Sequence, residues 1–468
     1  MEKEKTAGQQ LAERLLLNRK NMGMSGDDAS EQAAQDFCTP YMAFLDRCKT
    51  EREAVSEIIK LVQQKGYRPF DPNTHYQAGD QVYYNNRGKA LILATIGTQP
   101  LSEGVRIMAS HIDSPRLDLK PNPLYEEAEL AMFKTHYYGG IKKYQWGAIP
   151  LALHGVIVKK NGETITVRIG ENAGDPVFLV NDLLPHLADE QMKRPLAQGL
   201  KGEELNVLVG CRPFKDDKVS ERVKLNVIRL LNEKYDIVEE DFLSAELCMV
   251  PAFCAQDIGF DRGMIGSYGH DDRVCSYTSL MAALEVEHPT KTLLTVFADK
   301  EETGSDGNTG LNSHYLEFFI EHLAKQEGLC GRDVLSHSTC LSADVNAAFD
   351  PTFGDTLEKR NCAYLNYGVV VTQYTGSRGK YGTSQASAEF MAQVRSFLDD
   401  AGVAWQTGEL GKVDLGGGGT VAKYIAALDV DVVDVGVPVL SMHAPFEVVS
   451  KNDVYATYQA FKAYAQAN

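Results

Sequence analysis

The sequence predicts an α/β fold: a mostly parallel sheet sandwiched by helices, with a β-rich unit inserted into it. Three observations predict this. Apolar runs of strand length alternate with helical patterns near both ends of the chain. Between about residues 127 and 245 that alternation stops. And 468 residues are too many for one ordinary domain. The expected division is 1–126 and 246–468 as two parts of one α/β domain, with 127–245 inserted as a separate unit.

The first part opens with helix. "TPYMAFLDRCKTEREAVSEIIKLVQQKGY" places Tyr41, Phe44, Leu45, Val55, Ile58, Ile59 and Val62 at helical spacing, and Gly66 stops it. Two apolar strands follow, "KALILATIG" and "EGVRIMASHID". In the inserted unit, "LALHGVIVKKNGETITVRIG" reads as a hairpin turning at Asn161-Gly162. "VNDLLPHLADEQMKRPLAQGLKG" reads as a short helix and loop, and "LNVLVGCRPF" as a further strand. Strong strands then resume at "KTLLTVFAD", "TCLSADV", "YGVVVTQY" and "DVVDVGVPVLSM", with helical segments between them.

Composition limits the partners. The formal charge is −17, which disfavours nucleic acid and anionic membrane surfaces. No stretch approaches the ~18 apolar residues a membrane span needs, and "MEKEKTAGQQLAERLLL" lacks the pattern of a signal peptide. Nine cysteines without a C-x-x-C pair indicate reduced thiols, not a disulfide framework or a thiolate zinc site. The expected setting is the cytoplasm.

The chemistry lies where the strands run out. "VRIMAS" leads into His111 and Asp113, "TLLTVFADK" into Glu301 and Glu302, "TCLSA" into Asp344 and "PVLSM" into His443. "SYGHDDR" places Asp271 and Asp272 at the start of an apolar helix, where either could also act as its N-cap. Ligands of open α/β sheets bind at the carboxyl ends of the strands. One sheet edge would therefore gather imidazoles and carboxylates, donors that hold zinc or manganese. Glu301 and Glu302, if the strand continued through them, would face opposite ways.

Five stretches in this order, "ASHIDSPRLDLKPNPLYE", "GSYGHDDR", "DKEETGSDG", "LSADVNAAFDP" and "SMHAPFEVVSKND", resemble the aspartyl aminopeptidase and aminopeptidase I family of dinuclear zinc exopeptidases. The resemblance runs from about residue 80 to the C-terminus. It implies a zinc-exopeptidase-like catalytic domain interrupted by a dimerisation domain, and two divalent ions, zinc first, manganese or cobalt next. It further implies that His111, Asp271 and Asp344 hold one ion. Asp271 would bridge to a second, completed by Glu302 and His443. Asp113 would orient His111, and Glu301 would be the general base. Many relatives have Leu-Asp-Asn where this chain has His270-Asp271-Asp272. His186, in "LLPHLADE", resembles a histidine that some members send into a neighbouring subunit's active site.

Other signatures fail. H-E-x-x-H and G-x-S-x-G are absent, and the glycine run 416–419 lacks a phosphate-loop lysine. "GSRGKYGTS" offers Arg378 and Lys380 as anchors for an acidic substrate group, the alternative being a solvated basic loop. The expected protein is a homo-oligomeric metallo-aminopeptidase, dimer-based and dodecameric by resemblance, acting on peptides with free N-termini and preferring acidic first residues. Three rivals stand beside it: an aminopeptidase for neutral residues such as Leu, a metal-dependent deacylase on the same scaffold, and a non-catalytic assembly protein with a relic metal site. The presence of Glu301 and of every ligand position argues against the last.

Overall fold

The structure is a computed structural model and describes residues 5–467. Its centre is a nine-stranded sheet in the spatial order Arg68–Pro69, Gln81–Asn86, Ala90–Thr95, Leu293–Ala298, Arg106–His111, Thr339–Ser342, Asp431–Gly436, Val369–Thr372 and Trp405–Thr407. Five of its eight strand pairings are parallel. Four consecutive strands, from Leu293–Ala298 to Asp431–Gly436, form one parallel block whose carboxyl ends share an edge.

Both faces of its inner strands are buried, which is why those strands read as apolar runs. In Ala90–Thr95, Leu91 and Leu93 enter one core, while Ala90, Ile92 and Ala94 enter the other. Helices Asp28–Arg47, Glu51–Gln64, His270–Ala283 and Lys451–Gln466 contribute to the first core, and Tyr315–Gln326 and Gly331–Ser336 to the second. Each fully buried Leu, Ile or Phe contributes about 1.5–3 kcal/mol relative to exposure.

The helical stretch at 39–67 is two helices, not one. The break falls at Cys48-Lys49-Thr50, where the Thr50 hydroxyl accepts from the Glu53 N–H and the Glu53 carboxylate accepts from the Thr50 N–H. This capping box starts the second helix, and its T-x-x-E signature is present in "TERE".

A second, seven-stranded sheet is antiparallel throughout. The hairpin Leu151–Val158 and Thr164–Ile169 turns through Asn161 and Gly162 as expected. The sheet extends beyond 127–245 at both ends, because Arg116–Glu127 and Ala245–Pro251 are strands of it. At Lys120-Pro121-Asn122-Pro123 the pairing of Arg116–Glu127 with Leu130–Tyr138 shifts register inside one strand. The unit also contains a 14-residue helix, Arg222–Tyr235, whose Val223, Val227 and Leu231 recur every four residues and pack on its core. A third, five-stranded sheet joins Gln256–Ile258, Met264–Ser267, Glu447–Ser450, Pro438–Leu440 and Asn346–Ala347. No helix among the described residues is long and apolar enough to cross a membrane. All nine cysteines are free.

Candidate metal centre

His111 is the last residue of its strand and lies at the carboxyl edge of the parallel block. Asp344 follows the adjacent strand Thr339–Ser342. Glu301 and Glu302 follow Leu293–Ala298 but lie on a 3₁₀ turn, Glu301–Thr303, between left-handed Lys300 and Gly304. Their divergence thus comes from a turn, not from strand pleating. His443 arrives from the five-stranded sheet: the run "DVVDVGVPVLSM" breaks at Val437, so Pro438–Leu440 leaves the central sheet. Asp271 sits at the start of helix His270–Ala283 with non-helical torsions and makes no capping bond.

Two ligand-sized groups result, His111 with Asp271 and Asp344, and Asp271 with Glu302 and His443, the candidate donor atoms of each lying within 4.8 Å of one another. Asp271 belongs to both. Its Oδ1 lies 3.1 Å from His111 Nε2 and its Oδ2 lies 3.2 Å from His443 Nε2. Glu302 Oε2 is 3.5 Å from His443 Nε2, and Asp344 Oδ1 is 3.9 Å from His111 Nε2. Glu301 Oε2 approaches His111 Nε2 to 3.9 Å and lies in neither group.

The electrostatics call for a cation. Burial, then the Asp271 charge, pushes the Glu302 carboxyl well above its ordinary range; burial, then Asp272, does the same to Asp344. Burial raises Glu301 to about 7. Burial would lower the pKa of His443, but Asp271 and Glu302 raise it to about 10. Asp271 Oδ1 and Glu302 Oε1 are buried without a hydrogen-bond partner. Both histidines turn Nε2 towards the carboxylates because each Nδ1–H donates to a backbone carbonyl, His111 to Asp113 at 3.1 Å and His443 to Gly140 at 2.9 Å. Orphaned carboxylate oxygens and Nε2 atoms of fixed tautomer suit zinc.

The family profile of the aminopeptidase I zinc metalloproteases, M18, matches residues 44–465. This chain belongs to that family. The M18 protein is thus an aminopeptidase of the zinc metalloprotease class. It is 50% identical over 461 residues to the "Probable M18 family aminopeptidase 1" of Clostridium acetobutylicum, covering 96% of this chain and 98% of the relative. To the Thermotoga maritima protein of the same name it is 44% identical over 454 residues, covering 96% and 99%. A crystal structure of an M18 aminopeptidase from Thermotoga maritima superposes with a TM-score of 0.91 at 43% identity, covering 97% of this chain and 100% of that one. A solved S. cerevisiae mApe1 dodecamer has a TM-score of 0.74 at 20% identity, covering 93% and 96%.

In this M18 aminopeptidase the Asp113 carboxylate does more than face His111. Its Oδ1 lies 3.4 Å from His111 Nδ1 and accepts the Glu301 N–H at 3.1 Å, while Oδ2 accepts the Glu302 N–H at 3.2 Å. His270 points away from the centre, accepting from the Tyr41 hydroxyl at Nδ1 and donating from Nε2 to the Ile265 carbonyl. The buried Asp272 accepts the His111 N–H and is in neither ligand group. His186 is exposed on the short turn Pro185–Leu187 of the inserted unit.

Arg378 and Lys380 lie beside the centre's cavity, not in its lining. The centre opens into a cavity of about 640 Å³, and neither residue lines it. They line a neighbouring cavity of about 280 Å³ beyond Thr375 and Leu410. Lys380 Nζ lies 3.7 Å from the centroid of the Tyr374 ring and donates to Gln385. The lysine that does line the main cavity is Lys423, on the helix Ala422–Ala426. Tyr424 holds that helix beside the glutamates by donating to the Gly304 carbonyl at 2.6 Å. Sequence reasoning missed Lys423 because no strand end or motif marks "TVAKY". It also missed Glu447, buried four residues after His443, whose spacing within "HAPFE" was the available signal.

Proposed function

We propose that this chain removes N-terminal residues from peptides by water attack at a dinuclear centre. The observation that carries the reading is Asp271, whose two oxygens face His111 and His443 from two overlapping ligand groups. His111, Asp271 and Asp344 would hold one divalent ion; Asp271, Glu302 and His443 would hold the other. Zinc bound there supplies Lewis acidity towards the scissile carbonyl and the attacking water. Glu301, outside both ligand groups, accepts the proton of the attacking water and delivers it to the leaving amine. Such proton transfer contributes typically ~10²–10⁴-fold in rate. Asp113 orients His111 and fixes the backbone of both glutamates. The surrounding carboxylates favour the free N-terminal ammonium of a peptide over an acylated one. Paired free and N-acetylated peptides test this: cleavage of the free peptide alone is expected, and removal of the acyl group would establish the deacylase instead.

The reading extends to an acidic first residue. A buried substrate carboxylate needs a cationic partner, and among the described residues Lys423 is the one lysine or arginine lining the cavity. Measurement of kcat/KM for Asp-, Glu-, Leu- and Met-anilides should favour the acidic pair in the wild type and lose that preference in Lys423→Met. A Leu or Met preference in the wild type would establish the neutral aminopeptidase. Lys380→Ala in the same panel should leave the ranking unchanged.

The inserted unit would pair subunits in a homo-oligomer, dodecameric like the yeast relative, with His186 reaching the partner's cavity. Leu183, Leu184, Leu187, Met192 and Leu196 are exposed around it, an apolar surface of the kind association covers. Nine free cysteines suit a reducing cytoplasm.

A further inference from the structure

Tyr138, Gly139 and Gly140 end the strand Leu130–Tyr138 of the seven-stranded sheet and run directly into the metal centre. The buried Tyr138 hydroxyl donates to Asp113 Oδ2 at 2.7 Å. That carboxylate thereby gathers three donors: the phenol and the backbone N–H groups of Glu301 and Glu302. The phenol ring is itself clamped. The Arg116 guanidinium lies 4.4 Å and Lys300 Nζ lies 5.1 Å from its centroid, and Arg116 is paired with Glu51 and Asp118.

The two glycines act at close range. Gly140 accepts the His443 Nδ1–H, which leaves Nε2 unprotonated and facing Asp271 and Glu302 in the neutral imidazole. Gly139 has φ +78°, and a Cβ there would meet Glu302 Oε2 at 3.2 Å and Pro115 Cγ at 3.3 Å. A Cβ on Gly140 would meet His443 Nδ1 at 3.3 Å. The backbone thus passes against Glu302 and His443 where side chains would displace them.

We infer that Tyr138, Gly139 and Gly140 form a positioning segment through which the inserted sheet fixes Asp113, Glu302 and His443 for metal binding and catalysis. The inserted unit is then part of the reaction centre within each subunit, apart from any contact it makes between subunits. This rests on the dinuclear reading above.

The test uses the full-length protein, stripped with a chelator and titrated with zinc in competition with a chromophoric chelator. Tyr138→Phe keeps the ring and deletes only the hydroxyl; Gly139→Ala adds one methyl beside Glu302. Outer partners of metal ligands typically contribute about 10–100-fold in metal affinity or activity. Each variant should therefore weaken zinc binding or lower kcat by that factor, at unchanged KM, and Gly139→Ala should also lower the melting temperature of the metal-free protein, since φ +78° disfavours a Cβ. Tyr138→Leu should be no better than Tyr138→Phe, since the lost group is the hydroxyl. Wild-type zinc affinity and kcat in both Tyr138→Phe and Gly139→Ala would overturn the inference, as would a lower melting temperature with both quantities unchanged. A wild-type protein that binds no zinc here would instead overturn the dinuclear reading.

Discussion

Asp271 and His443, whose side chains meet at 3.2 Å, also hang their backbones on one carboxylate. Glu447 Oε2 accepts the Asp271 N–H at 3.0 Å, and Oε1 accepts the His443 N–H at 2.7 Å. A helix start and a loop from different parts of the chain are thus pinned to a buried side chain between them. Glu447→Ala should lower zinc affinity at least about tenfold, as measured by chelator competition. Unchanged affinity would show that the two segments hold their own positions.

Neighbouring glutamates should separate cleanly. Glu301→Gln removes the proposed base and no ligand, so kcat should fall by about 10²-fold or more with two zinc ions per chain retained. Glu302→Gln should lose one zinc. The reverse pattern in metal analysis would exchange the two roles.

His154 gives a pH signature of stability. It is buried between Glu53, 2.8 Å from Nδ1, and Glu171, 3.3 Å from Nε2. Burial would lower its pKa, but Glu171 and Glu53 together raise it above the ordinary value. The stabilisation is therefore complete below the unfolded pKa of about 6.5 and is lost as pH rises through the folded value. The carboxylates are shifted the other way despite burial, with His154 the main cause, so their contribution is present above about 4.3 and lost in acid. Removing one partner of a buried pair costs about 3–5 kcal/mol. Melting curves of wild type and His154→Gln should lie far apart at pH 6 and converge towards pH 9. A gap independent of pH would mean that His154 acts by packing alone.

Subunit mixing tests His186. If it acts in the partner's cavity, His186→Ala and Glu301→Gln should each be impaired, yet activity should rise when their subunits are exchanged. The Glu301→Gln chain would supply His186 to the intact base of its neighbour. No recovery, or a fully active monomer by light scattering, would remove His186 from the reaction.

Legibility from sequence followed the backbone. The strands carrying His111, Glu301 and Asp344 were readable because burial on both faces makes each a continuous apolar run ending in polar residues. Asp113 was legible through the resemblance carried by "ASHIDSPRLDLKPNPLYE". What lay beyond reach was set by contacts distant in sequence. Tyr138 meets Asp113 from the inserted sheet, and Gly140 meets His443 some 300 residues away. That Lys423 lines the main cavity and Lys380 and Arg378 the neighbouring one was out of reach, because glycine-rich context says nothing about which cavity a side chain lines. The extent of the inserted sheet was hidden because Arg116–Glu127 and Ala245–Pro251 join it through strand pairings distant in sequence.

The most direct test of the proposed dinuclear centre is a zinc titration of chelator-stripped protein, followed by the release of N-terminal residues from a mixture of tripeptides with free N-termini. Release should be absent without metal, rise with added zinc and reach its plateau at two ions per chain. Full release from metal-free protein, or a plateau at one ion per chain, would contradict it.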